Sequence, residues 1–301
     1  MNNHKKKFLS KLQSISHSRS PHRTFSDWLE IAAVSMHQLP YHSGELEKDE
    51  AFDQLEVEYI KRVKPYSKDE LIVFSELLSL TIVAHHNGFS DFLGEIAGEA
   101  ELLNKRSGQF FTPCHLCRAI AKMSFGNVEV QVKEKGGILT VCEPAVGAGA
   151  LVIASAEEVA SQKIDPRAHL QFDCTDISRD AFNMAYIQLS ALGLQAIVRH
   201  GNTLSNEYWE HRATPQLRLF DRWLKAQRDE WRRTKAVELL IADLLLPDSD
   251  ESEVPRAEAV LDQPPSETLF DLKQFARPKL SKTGASKQAD VHLGKQMELF
   301  V

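Results

Sequence analysis

The stretch from Gly137 to Leu204 constrains the fold more than any other part of the chain. Short apolar runs, ILTVCEPA, LQFDCTD and AIVRHGNTL, are separated by VIASAEEVASQ and SRDAFNMAYIQLSALG, which repeat at helical spacing. Strands that alternate with helices pair in parallel, because each helix carries the chain back to the start of the next strand. This is the pattern of an α/β sheet with helices packed on it. The first run ends at Glu143 and passes through Val146-Gly147-Ala148-Gly149 into a helix. A strand, a glycine turn and a helix start present backbone N–H groups to a carboxylate or other anion. Gly147 and Gly149 leave room for close approach, and Glu143 at the strand tip can accept hydrogen bonds from a ligand's amine. The same turn can equally serve only to reverse the chain. Asp176 ends the second run, where an acid in such a sheet reaches ribose hydroxyls. Upstream, in RSGQFFTPCHLCRAIA, Thr112-Pro113 closes a loop and starts a helix.

Before this region the periodicity is helical. FSDWLEIAAVSM, DELIVFSELLSLTIVAHH and SDFLGEIAGEAELL repeat apolar residues at three and four, which predicts an all-α domain over residues 24–106. Ser26-Asp27 and Ser90-Asp91 are candidate caps, and breaks are expected at Leu39-Pro40-Tyr41 and His86-Asn87-Gly88. Residues 1–23 carry Lys5, Lys6, Lys7, Lys11, Arg19 and Arg23 with no acid, and read as a basic flexible arm, either solvated or tracking phosphates. Past Leu204 the pattern turns helical again with no clear further strand, so residues 107–246 form an α/β domain with a helical C-terminal part. Residues 247–301 read as a flexible tail. Four cysteines are too few for a disulfide framework, and no apolar run is long enough to span a membrane, so a cytoplasmic protein is expected. The net charge of −6 does not exclude DNA binding, which needs only a local basic face.

RSGQFFTP, CEPAVGAGALV, TDISRDAFNMAYIQLSALGL and RHGNTL, taken in order, resemble the adenine-specific N-6 DNA methyltransferases of the type I restriction-modification subunit kind, in particular short relatives carried by mobile elements. The resemblance implies a Rossmann-like methyltransferase fold, with a reduced sheet, preceded by a helical domain. It implies S-adenosyl-L-methionine as cofactor and DNA as partner. It also implies a cofactor shell of Thr112, Pro113, Glu143, Ala145, Gly147, Gly149 and Asp176, with Asn202 standing where the family has an acid that contacts the cofactor's adenine.

The family's catalytic Asn/Asp-Pro-Pro-aromatic loop is not found, and no catalytic residue is assigned. The chain's Pro-Pro pair, Pro264-Pro265, follows a charged linker without a strand to aim it. Two functions of different class therefore stand: adenine methyltransferase, or a non-catalytic module that keeps the fold to bind DNA, cofactor or protein. Cys114 and Cys117 have ligand-like spacing without a second pair, so a helix-start pair packing against the core is expected rather than a metal site. Gln296, Met297, Leu299 and Phe300 resemble the terminal peptide by which bacterial DNA-processing proteins bind the sliding clamp. Folding back onto its own domain is the alternative for this tail. QLRLF, Gln216 to Phe220, is a second match expected inside a helix.

Overall fold

The computed structural model describes residues 2–15, 19–100, 102, 112–223, 225–226 and 233–236. The chain divides into two units, Met1–Leu217 with Arg277–Val301, and Arg218–Ala276; the described residues of the second are helical. Pro264-Pro265 and the Gln296–Phe300 peptide lie outside the described residues. Residues 216–220 are helical, and Leu217 is buried.

The first unit begins with α1 (Asn2–Ile15), α2 (Pro21–His42), α3 (Glu50–Val63), α4 (Lys68–His86) and α5 (Phe92–Glu99). Residues 2–15, expected as part of a flexible arm, form a packed helix instead. Phe8, Leu12 and Ile15 recur on one face and are buried, with the Phe8 ring edge-on to Trp28 and Phe92. The arm's cations are held by acids of the helices beneath: Lys5 by Glu95 and Glu99 at 2.7 and 2.8 Å, Lys11 by Glu76 at 2.6 Å, Arg19 by Glu70 at 2.8 Å. Ser20, not Ser26-Asp27, caps α2, its hydroxyl accepting from the Arg23 N–H. Asp27 is instead buried and takes the Tyr66 hydroxyl at 2.8 Å and Arg62 at 3.0 Å. Pro40 sits in the last turn of α2 rather than ending it. Asp91 does cap α5, and α4 stops at Asn87 before Gly88.

There follow α6 (Cys114–Ser124), α7 (Val128–Glu134), β1 (Leu139–Glu143), α8 (Ala150–Ser161), α9 (Pro166–His169), β2 (Leu170–Asp176), α10 (Arg179–Ala191), β3 (Gln195–Asn202) and β4 (Glu207–Ala213). Among the described residues the sheet runs β1-β2-β3-β4, with β1, β2 and β3 parallel. β1 is an edge of that sheet, with Thr140 and Cys142 exposed. A groove of about 410 Å³ lies beside it, lined by Ile120, Phe125, Val141 and Leu151 among others.

The fourth strand corrects the expectation that no strand follows Leu204: EYWEHRA pairs antiparallel with β3 across a tight hairpin. Alternation in this segment is masked because the inward positions carry charge. Arg212 has 2% exposure. A bulge falls at His200 and Gly201, where a Cβ on Gly201 would lie 2.4 Å from the Glu207 carbonyl oxygen, so only glycine fits.

The helical part and the α/β part, expected as two domains, share a hydrophobic core that includes Trp28, Leu29, Leu77, Ile96, Phe172, Phe182 and Val198. α10 packs on α2 and α4 as well as on β2 and β3. At this junction Glu30 of α2 is buried among cations. Its carboxylate accepts from Arg179 at 2.5 and 2.9 Å, from Asn183 at 2.9 Å and from Arg212 at 3.0 Å. Glu210 closes the network by pairing with Arg179 and with Arg212. Burial would raise the Glu30 pKa, but the hydrogen bonds from Arg179 and the charges of Arg212 and Arg179 outweigh it and hold the carboxyl far below the usual range. Replacing Glu30 by Ala leaves Glu210 as the one counter-charge named for Arg179 and Arg212 and removes the acceptor of the Asn183 amide, and is expected to cost about 1–3 kcal/mol in urea unfolding at neutral pH. Because the folded-state pKa is lowered, this stability is complete above the ordinary carboxylate value, roughly pH 4.3, and is lost as pH falls below it. A Glu30→Gln chain, with no charge to lose, is expected to give a flatter stability curve below pH 5.

Candidate cofactor site

The parallel strands β1, β2 and β3 end in Glu143, Asp176 and Asn202, which places three of the expected site residues at the carboxyl edge of the sheet. Ligands of open α/β sheets bind at this edge. Between Glu143 and α8 the chain makes the expected glycine turn. Gly147 and Gly149 have φ of 56° and 106°, in the left-handed region that favours glycine. Gly149 is the N-cap of α8 and has no side chain to bond the first turn, so the N–H groups of that turn remain for a ligand.

The turn is held from several sides. The Glu143 carboxylate accepts from the Ala145 N–H at 3.0 Å, and the Val146 N–H donates to the Thr175 carbonyl at 2.9 Å. Asp176 receives the Gly147 N–H on one oxygen and the Ser178 N–H on the other, each at 2.8 Å. It therefore ties the turn to the start of α10. An ionised carboxylate has about four acceptor positions, so Asp176 keeps two for a diol. Asn202 turns its side-chain oxygen toward the Leu204 N–H at 3.0 Å, and the Thr203 hydroxyl donates to the Pro144 carbonyl at 2.8 Å. Thr203 was not singled out in the sequence, although it lies within RHGNTL; it latches the end of β3 to the loop after β1. Ile177 and Leu204, 61% and 99% exposed, lie beside Asp176 and Asn202 and give this edge an apolar rim.

Thr112 and Pro113 lead into α6, with Pro113 as its N-cap. α6 packs against α8, and Cys117, Ala121 and Ala154 form a small buried cluster between them. The Cys117 thiol is pushed up to about 11, chiefly by burial and then by the neighbouring Cys114 thiol and the acids Asp91 and Glu143. It is a packing thiol, as expected, and among the described residues no group of His, Cys, Asp and Glu is placed to hold a metal. No described helix is long and apolar enough to cross a membrane.

Chemically the edge offers carboxylates for an ammonium and a diol, an amide side chain, and a helix N-terminus for a carboxylate. With this geometry in view the comparisons with known proteins are specific. Residues 92–222 match the family model of N-6 DNA methylase, and this segment is related to that family. It carries an N-6 DNA methylase-like domain, and its mixed α/β architecture, with a mostly parallel sheet, is compatible with a methyltransferase-like fold. Neither the curated proteins nor the solved structures gave a significant match.

The turn's geometry has a direct check. An added Cβ at Gly149 meets Ala185 and Ile153 only at ordinary contact distances of 3.8–3.9 Å, so Gly149→Ala tests backbone strain rather than space. A loss of about 1–3 kcal/mol in unfolding free energy is expected, and an unchanged melting temperature would contradict the left-handed conformation.

Proposed function

We propose that the chain binds S-adenosylmethionine at the carboxyl edge of β1, β2 and β3 and belongs to a DNA adenine-methylation system. The observation that carries this reading is that Glu143 and Asp176 hold a left-handed glycine turn at the carboxyl edge where Asn202 also ends its strand, within the segment related to N-6 DNA methylases. The donor set fits the cofactor part by part. Glu143 suits its ammonium, the α8 N-terminus its carboxylate and Asp176 its ribose diol, while Asn202 and the apolar rim suit its adenine. Thr112 and Pro113 are assigned to the same shell. When bound, the cofactor supplies an electrophilic methyl group.

A target adenine presents a poor nucleophile, because its exocyclic amine is conjugated with the ring. The base must be turned out of the duplex, stacked and hydrogen-bonded for the amine to attack. No residue here is assigned to that task. The edge position of β1 among the described residues supports a second reading of different class, in which the chain is a cofactor- or DNA-binding module and the base-reading half is supplied from elsewhere. DNA is the partner in the first reading, together with restriction-modification, and in the second the module binds DNA, cofactor or a protein; carriage on a mobile element belongs to both.

Calorimetry with S-adenosylmethionine separates the cofactor reading from its failure. Binding is expected for the wild type, with Asp176→Asn weaker by about tenfold or more, as for a lost hydrogen bond to a charged group. No heat at millimolar cofactor would overturn the reading. Methyl transfer from labelled cofactor to adenine in DNA is expected to be slow or absent for the purified chain, and rapid transfer would eliminate the module. For the tail, we propose that Gln296, Met297, Leu299 and Phe300 dock on a sliding clamp. Loss of clamp retention in Leu299→Ala/Phe300→Ala is the expected result, and equal retention excludes the peptide.

A further inference from the structure

Gln188 lies in the last turn of α10 and is completely buried, at 0% exposure, on the side of the helix that meets the cofactor turn. Its amide nitrogen donates to the Ala148 carbonyl at 2.7 Å and to the Asp91 carboxylate at 2.8 Å, and its oxygen accepts the Leu93 N–H at 3.0 Å. Two elements therefore meet on one side chain, the glycine turn and the start of α5, the latter through both its N-cap and its first turn. Asp91 is fixed in turn, accepting the Gly94 N–H at 3.0 Å. A Cβ at Gly94 would fall 2.1 Å from the Asp91 carboxylate, so residue 94 has to be glycine for this arrangement to close.

The consequence for the turn is geometric. The peptide between Ala148 and Gly149 has its carbonyl tied to Gln188 and its N–H tied to the Val146 carbonyl at 2.9 Å. Both polar ends of this peptide are held from inside the protein. Its plane is held on both sides, immediately before the left-handed Gly149 at φ 106°. Asp176 holds the Gly147 N–H by a separate contact.

We propose that Gln188 is a positioning residue for the cofactor turn, bracing it from behind against Asp91 and the start of α5. The proposal rests on the cofactor reading for its functional meaning, while the brace itself is a property of the chain without ligand. It assigns the helical part of the chain a role at the site through α5, which reaches the turn through this amide.

The test uses the full chain with Gln188→Met, which keeps the shape and removes all three hydrogen bonds. Leu77→Ala, a buried change in α4 away from the turn, serves as a destabilised control. Two readouts are taken: amide exchange of the peptide spanning residues 145–151 without ligand, and calorimetric affinity for S-adenosylmethionine. Expected for Gln188→Met are exchange faster by about tenfold and affinity lower by about tenfold, the scale of leaving buried polar groups unpaired. Leu77→Ala is expected to lower the melting temperature with neither change. Should Gln188→Met not fold, Gln188→Asn is read the same way, since it keeps a small neutral amide but is one methylene too short to hold the Ala148 carbonyl from α10. Wild-type exchange rates in the 145–151 peptide of the folded variant would overturn the brace. Absence of cofactor binding by the wild type would overturn the cofactor reading, with the exchange result still deciding the brace.

Discussion

The buried carboxylate of Glu30 is the contact on which the arrangement of this protein depends. One side chain of α2 takes two residues of α10, Arg179 and Asn183, and one of β4, Arg212. The two guanidinium groups need counter-charge to be buried, which Glu30 and Glu210 supply together. The network therefore does two things at once. It fixes α10 between the sheet and the N-terminal helices, and it permits a strand as polar as β4 to lie with Arg212 inside. Aromatic packing reinforces the junction, with the guanidinium groups of Arg179 and Arg212 each 5.2 Å from the Phe182 ring centre.

Placement of α10 determines the shape of the candidate site at both ends of the helix. At its start the Ser178 N–H is taken by Asp176, which also holds Gly147. Further along, Gln188 reaches the next residue of the same turn but one, Ala148, and Asp91 beyond it. Two of the supports of the turn between β1 and α8, Asp176 and Gln188, are thus tied to one helix. The carboxylates at the strand ends are hydrogen-bonded to backbone N–H groups, which holds them in place at the edge of the sheet. Preorganisation of this kind reduces the ordering cost when a ligand binds.

Much of this was legible in the sequence. The bounds of β2, and the glycine turn with Glu143 before it and Asp176 after it, follow from alternation of apolar runs and from glycine at positions that require positive φ. Asp91 as a cap and Cys117 as a packing thiol were also legible from local pattern. What local pattern does not carry is long-range charge pairing. Residues 1–23 look like a free basic arm until Glu70, Glu76, Glu95 and Glu99 are seen beneath them. β4 reads as helix because its inward Arg212 is neutralised by Glu30, a residue far away in the chain. Gln188 had a signal that could have been read: a polar residue on a helical face otherwise built from Ala181, Met184, Ala185 and Leu192. Glu30 stands out in the same way within WLEIAAV. A polar residue at an apolar position of such a helix must find a partner, although the sequence does not say which.

The central claim is that a cofactor lies across the carboxyl ends of β1, β2 and β3. The most direct measurement is photo-crosslinking of S-adenosylmethionine carrying a labelled methyl group to the full chain, followed by peptide mapping. The account predicts that label is recovered in peptides containing Glu143–Gly149, Asp176–Ile177 or Asn202–Leu204, and that unlabelled cofactor competes it away. Label confined to other peptides, or incorporation that excess unlabelled cofactor does not suppress, would contradict it.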